Sequence, residues 1–182
     1  MKDAGAVASA LQELWRLGRF SGRQVMLAIG NQRVIVREIT LPWLSEKELR
    51  ASLPFQVQEQ VPIPVAEAVL DYQVLEELEH EGRRMVRILL VAAHKVMIYK
   101  LVEAAQMAKL TPVGIDIVPF AIIRSAGSTD GLGISEAPGD EAVIDIGADI
   151  TSIAVHMNGV PRFVRLLPSG GRDITEIGRA HV

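Results

Sequence analysis

The sequence lacks cysteine altogether and is poor in aromatic residues, which make up 4% of its 182 positions. Without cysteine, neither a disulfide framework nor a cysteine-ligated zinc site is possible, and a reducing compartment fits this composition. The longest fully apolar run, residues 88–93, is far shorter than the roughly 20 residues that a membrane-spanning helix needs. Disulfide-stapled and membrane-spanning classes are therefore excluded as interpretations of this sequence.

The sequence also has no excess of positive charge. Its formal net charge is -3, and no segment is dominated by lysine and arginine. Together with the few aromatics, this argues against a nucleic-acid-binding surface. The first residues lead into an amphipathic segment instead of an apolar one, so no secretory signal peptide is visible. We expect a cytoplasmic protein that reaches a membrane only through a partner, without inserting into it.

Histidine is scarce, and its placement indicates no metal site. The four histidines, His80, His94, His156 and His181, do not have the spacing of zinc ligands. No serine stands in the context of a nucleophile elbow. We expect His156 to be a partly exposed structural residue beside a turn, and we assign no catalytic residue.

The most informative segment present is residues 141–175, which places one acid and several glycines where a phosphate group could bind. Asp145 interrupts an apolar, β-branched run that predicts a buried strand. A carboxylate there is costly unless it is paired, hydrogen-bonded or given a cation. Gly147 follows closely and lets a backbone N–H approach a ligand.

A β-hairpin is expected directly after this strand. Residues 151–157 alternate in polarity, Asn158-Gly159 suits a two-residue type I′ turn, and residues 162–167 return as the second strand. Residues 168–171 then break the sheet pattern, and Asp173 or Thr175 can open a helix whose N-terminal amides favour anions. Two glycine-bearing turns would flank one cleft.

The other helices and strands follow from apolar periodicity and turn residues. Ser45 and Glu48 form a capping-box pattern, and Pro54 is expected to kink or split the helix that they open. Residues 127–140 predict a loop between two lobes. In chain order we expect a helix near 7–15, strands 24–30 and 33–41 about an Asn31-Gln32 turn, a helix from 45 to about 60, antiparallel strands 69–78 and 83–94 with a solvated tip, a helix at 98–108, a strand at 112–118 and a short helix at 119–125.

The ordered pattern resembles one superfamily. Asp145-Ile-Gly147-x-x-x-Thr151, with Gly171-Arg-Asp-Ile-Thr175 one hairpin later, resembles the second phosphate loop and following segment of actin-like ATPases. Within that superfamily, residues 143–175 resemble the PilM-type ATPases of type IV pilus assembly. The segments VIVREITLPWLSEKEL, VPIPVAEAVLDYQVL, VRILLVAAHK and GIDIVPFAIIRS match the family's order, so the resemblance covers roughly residues 4–175.

The resemblance implies an α/β fold of the actin-like (ribonuclease H-like) two-lobe ATPase type, present in part. A strand-helix-strand-strand subdomain would be inserted, as in the related cell-division protein FtsA. The chain is expected to be a fragment that lacks an earlier phosphate loop and a later adenosine-binding segment. Its expected parts are the remainder of the first lobe (1–33), the inserted interaction subdomain (34–110), the return to the first lobe with a linker (111–140), the start of the second lobe (141–176) and a non-native tail that continues no helix (177–182).

For the site, the resemblance implies ATP and Mg²⁺ as cofactors. Asp145 would hold Mg²⁺ through water, because magnesium keeps several waters and bridges carboxylates to nucleotide phosphates. Backbone N–H groups of Gly147, Ala148 and the residues up to Ile150 would donate to the β- or γ-phosphate. Thr151 would add a hydroxyl or merely pack against the sheet.

Two further glycines are implied at the site. Gly170 and Gly171 would lie near the sugar or the phosphates, although a tight strand-to-helix turn explains them almost as well.

The implied function is that of a cytoplasmic, ATP-dependent scaffold of type IV pilus assembly. It would bind the cytoplasmic N-terminal segment of a PilN-like inner-membrane protein, and other pilus assembly proteins. The complete protein would be a weak ATPase at most, and this stretch alone inactive. Two alternatives stay open: an FtsA-like cell-division filament protein, and a small-molecule kinase on the same fold.

Overall fold

The computed structural model describes residues 3–31, 33–126 and 139–180. Most of the expected loop 127–140, together with Gln32 and His181, lies outside these residues. The elements are α1 Ala4–Gly18, β1 Gln24–Ile29, β2 Val34–Pro42, α2 Glu46–Gln56, a 3-10 turn Val65–Glu67, β3 Ala68–His80, β4 Arg83–His94, α3 Lys95–Met107, β5 Thr111–Ile117, α4 Val118–Ala126, β6 Asp140–Ile146, β7 Thr151–Met157, β8 Val160–Leu167 and α5 Gly171–Ala180.

The strands form separate small sheets. Strand β1 pairs in parallel with β5, the antiparallel order β2-β4-β3 makes a second sheet, and β6-β7-β8 is an antiparallel meander. The predicted order strand, helix, strand, strand is confirmed by β2, α2, β3 and β4. The turn near Asn31, however, does not join β1 and β2 as neighbours, because each finds its partner much later in the chain.

Strand β4 is the centre of the second sheet and is buried on both faces. Ile88, Leu90 and Ala92 join a core with Leu49 and Leu53 of α2. Their neighbours Val91 and Ala93 point the other way, toward a core that includes Ile98 of α3 and Ile117 of β5. A strand covered on both sides needs apolar residues at every position, which explains the uninterrupted run at 88–93.

Helix α2 begins where its capping box predicts and ends earlier than expected. The backbone N–H of Ser45 donates to Glu48 Oε2 at 3.1 Å. Hydrogen bonds from Ser45 lower the pKa of Glu48 below its usual range. The helix passes through Pro54 and stops at Gln56, not near residue 60. Pro54 therefore does not split the helix near Leu53, and beyond it the N–H of Val57 still donates to Leu53 O at 3.1 Å.

Both predicted hairpin turns are confirmed by their backbone angles. Glu81 and Gly82 have φ of 52° and 72°, and Asn158 and Gly159 have φ of 51° and 79°. Positive φ at both central residues defines the type I′ turn, whose twist matches that of paired strands. These turns fix the register of β3 with β4 and of β7 with β8.

The meander is held against the rest of the molecule by α4 and β2. Ile123 of α4 packs with Ala154 of β7 and Val164 of β8, with Val36 of β2 alongside. Leu166 of β8 contacts the core between β2 and α3. The start of the meander is thereby placed beside α4.

Across the described ranges, no helix combines the length and the apolar character that crossing a membrane would demand.

Candidate functional site

Asp145 lies near the carboxyl end of β6, on the face of the meander that α4 covers. It stands opposite Ser152 of β7 in the register, and directly opposed residues share a face of the sheet. Ser152, Ala154 and His156 on that face of β7 are all buried. The carboxylate therefore points to the side on which the two packed layers meet.

The expectation of a buried strand around Asp145 is wrong. Asp145 is exposed, and its neighbours Ile144 and Ile146 are 58% and 67% exposed. Strand β6 is the edge of its sheet and pairs only with β7 among the described strands. Within the described ranges, the Asp145 carboxylate has no hydrogen bond or ion pair. Because this carboxylate is exposed, no hydrogen bond or ion pair is needed to offset a cost of burial, and the group is free to bind a ligand.

The loop between β6 and β7 uses its first amide internally. The N–H of Gly147 donates to Ile150 O at 3.0 Å, so it is not available to a phosphate as expected. A Cβ at Gly147 would lie 2.8 Å from the same oxygen, which explains the glycine. The N–H groups of Ala148, Asp149 and Ile150 have no hydrogen bond to any described residue. These remain as donors for an anion.

The second glycine turn is bonded to the first. The N–H groups of Gly171 and Arg172 donate to the carbonyls of Gly147 and Ala148, at 2.9 and 2.8 Å. A Cβ at Gly170 would lie 2.6 Å from Ala148 O, whereas one at Gly171 would lie 3.8 Å from Gly147 O. Gly170 thus has a packing reason of its own: only a residue without a side chain lets the two loops touch.

The amides at the start of α5 are also occupied, which corrects the expectation of a free anion-binding helix end. Gly170 N–H and the Ser169 hydroxyl donate to Asp173 Oδ2, at 3.0 and 2.7 Å. These bonds, the hydroxyl first, lower the pKa of Asp173. The Thr151 hydroxyl donates to Ser169 O at 2.8 Å. Thr151 therefore ties the two loops together instead of pointing a free O–H at a ligand.

Two charged residues that sequence reasoning missed meet at this junction. Arg172 Nε lies 3.2 Å from Asp149 Oδ1. Their positions in the sequence gave only a weak signal of this contact: Asp149 lies inside one glycine-bearing turn, and Arg172 lies just after the other. Only the contact between the turns makes them a pair.

An open hollow of about 700 Å³ lies on the outer side of this junction. Gly147, Ala148 and Gly171 line it, with Ile146, Arg172 and Arg179. Asp145 does not, because successive strand residues point to opposite faces. The structure thus gathers the four predicted glycine and alanine positions and Thr151 at one junction, with Asp145 on its α4 side.

His156 is a structural residue as predicted, but it is buried and not partly exposed. It has 2% relative exposure. Its Nδ1 accepts from Gly159 N–H at 3.2 Å, and its Nε2 lies 3.5 Å from Glu141 Oε2. No group of three or more histidine, aspartate or glutamate side chains that could together hold a metal ion occurs in the part of the chain that the structure describes.

The end of the chain also differs from expectation. Helix α5 runs on to Ala180, so residues 177–180 continue a helix that was expected to stop before them. The division of the chain into lobes and subdomain stays a prediction.

Known proteins match this chain both in sequence and in fold. A family model for the type IV pilus assembly protein PilM matches residues 1–179. A solved structure of a PilM-PilN type IV pilus biogenesis complex matches with a TM-score of 0.86 and 31% sequence identity, over 99% of this chain and 53% of that chain. The present chain therefore spans about half the length of that relative.

A more distant structure agrees in fold. The cytoplasmic domain of EpsL, an inner-membrane component of the type II secretion system of Vibrio cholerae, matches with a TM-score of 0.59 and 12% identity, over 88% of this chain and 56% of that chain. The expected α/β fold of actin-like type, present in part, is confirmed. With its family model covering nearly every residue, the chain belongs to the PilM family of type IV pilus assembly proteins.

Proposed function

We propose that the complete protein is a cytoplasmic, ATP-dependent scaffold that binds the N-terminal segment of a PilN-like inner-membrane protein. The observation that carries this proposal is the match to a PilM-PilN complex over 99% of the chain. Membrane association would then come from the partner. A titration of the complete protein with a synthetic peptide of the partner's cytoplasmic segment tests the partner-binding part of the proposal directly, and saturable binding is expected.

The nucleotide half of the proposal rests on the loop between β6 and β7. An unpaired carboxylate, Asp145, lies next to a turn whose amides at Ala148, Asp149 and Ile150 are unbonded among the described residues. Such a set suits a hydrated magnesium ion and the phosphates that it accompanies. The chain's own residues would orient the metal through Asp145 and hold the phosphates with these amides.

Bound ATP would act as a conformational ligand. It can shift the protein between two arrangements only if it binds one of them more tightly than the other. The meander touches α4 and β2 through Ile123, Ala154 and Val36. A ligand at the end of β6 therefore lies beside the contact that any relative movement of the layers must change.

The substitution Asp145→Asn tests the metal role in the complete protein. We expect Mg-ATP affinity to fall about tenfold or more, as is typical when a group that orients a metal is lost. In the presence of EDTA, wild type and variant should bind ATP equally weakly. Isothermal titration calorimetry measures both conditions.

Asp140→Asn is the matched control, because it makes the same change at the other end of the same strand. Its affinity should equal that of the wild type. A loss in Asp145→Asn that persists without magnesium, or no loss at all, would reject the metal role. Gly147→Val is a poor test of phosphate binding, since its Cβ already collides with Ile150 O.

A further inference from the structure

The loop proposed for the phosphates contains an acid that works against an anion. Asp149 lies between Ala148 and Ile150, whose N–H groups are unbonded among the described residues. Its charge would repel a phosphate. An aspartate side chain also accepts hydrogen bonds from nearby backbone N–H groups, so it would compete for the same donors.

Arg172 is placed to counter both effects. Its Nε lies 3.2 Å from Asp149 Oδ1, and its backbone N–H donates to Ala148 O at 2.8 Å. Helix α5 therefore holds this residue against the loop through its backbone, whatever its side chain does. The two side chains are 61% and 63% exposed. An ion pair so exposed contributes little to folding.

We infer that Arg172 is a positioning residue of the phosphate site: it draws the Asp149 carboxylate away from the loop amides and cancels its charge. This inference rests on the proposed binding of nucleotide at this loop. It adds a residue that lies outside the Asp-x-Gly pattern. This residue acts on the ligand through the Asp149 side chain and does not contact the ligand itself. The ion pair between Asp149 and Arg172 forms because the two glycine turns are in contact.

A double-mutant cycle on the complete protein tests the inference, with calorimetric titration by Mg-ATP. Arg172→Gln keeps the backbone bond to Ala148 and should weaken affinity about fivefold, the upper range for an exposed charge pair. Asp149→Ala should bind at least as tightly as the wild type. In the Asp149→Ala background, Arg172→Gln should have no further effect. The unfolding midpoint of the nucleotide-free protein should not move in either single variant.

Arg162→Gln is the matched control. It removes the same charge from β8, at the end of the meander remote from the loop, and at a residue without an ion-pair partner among the described residues, so its affinity should equal that of the wild type. An equal loss from Arg172→Gln in both backgrounds would overturn the inference, as would an equal loss in Arg162→Gln.

The cycle separates this inference from the function on which it rests. A wild-type protein that binds Mg-ATP, with all four members of the cycle alike, contradicts the role of Arg172 and leaves nucleotide binding intact. A wild-type protein that does not bind Mg-ATP contradicts both.

Discussion

Gly170→Ala should separate the two glycine loops and destabilise the meander by about 1–3 kcal/mol, the usual range for an added group in a packed site. The new Cβ would meet the carbonyl oxygens of Gly147 and Ala148. Both atoms belong to backbone, so neither can turn away as the end of a side chain can. Hydrogen exchange at the amides of Gly171 and Arg172, which donate across the contact, should become faster.

Gly171→Ala provides the control one residue along. Its Cβ would lie at an ordinary distance of 3.8 Å from Gly147 O, and alanine suits a helix better than glycine. We expect its stability to stay within about 0.5 kcal/mol of the wild type. If both variants behaved alike, the close approach of the loops would not be the reason for Gly170.

Leu90→Ala should destabilise the sheet β2-β4-β3 by about 2–5 kcal/mol, the range for a leucine deleted from a packed core. Leu90 is fully buried at the centre of β4, between the side chains of β2, β3 and α2. Denaturation by urea, followed by circular dichroism, measures the loss.

Val74→Ala, on the neighbouring strand β3, is the matched control. Val74 is 47% exposed, so the cost should be about 0.5 kcal/mol or less. A Leu90→Ala variant as stable as this control would show that the face toward α2 is not the main core of the sheet.

The local elements could be predicted from sequence because their causes are local. The Asn158-Gly159 turn, the Ser45 and Glu48 capping box and the long pair β3 and β4 each depend on residues close together in the chain. The apolar run of β4 was recognised only as too short for a membrane span, and its cause, burial on both faces of the strand, became apparent in the structure. The family resemblance supplied the actin-like fold, which short-range patterns do not contain.

What could not be predicted depends on contacts between distant segments. The exposure of β6 follows from its place at a sheet edge, which β-branched residues around Asp145 do not reveal. The use of the Gly147 amide by Ile150 depends on the turn's three-dimensional path. Likewise, Asp149 and Arg172 are 23 positions apart and meet only because two glycine turns touch.

The loop between β6 and β7 is proposed to hold the phosphates and metal of a nucleotide. Paramagnetic broadening by Mn-ATP, recorded on amide signals of the complete protein, tests it most directly. Strong broadening is expected at Ala148, Asp149 and Ile150, and none at the remote tip of the β3-β4 hairpin around Gly82. Sharp signals at all three loop amides, in a sample shown to bind Mn-ATP, would contradict it.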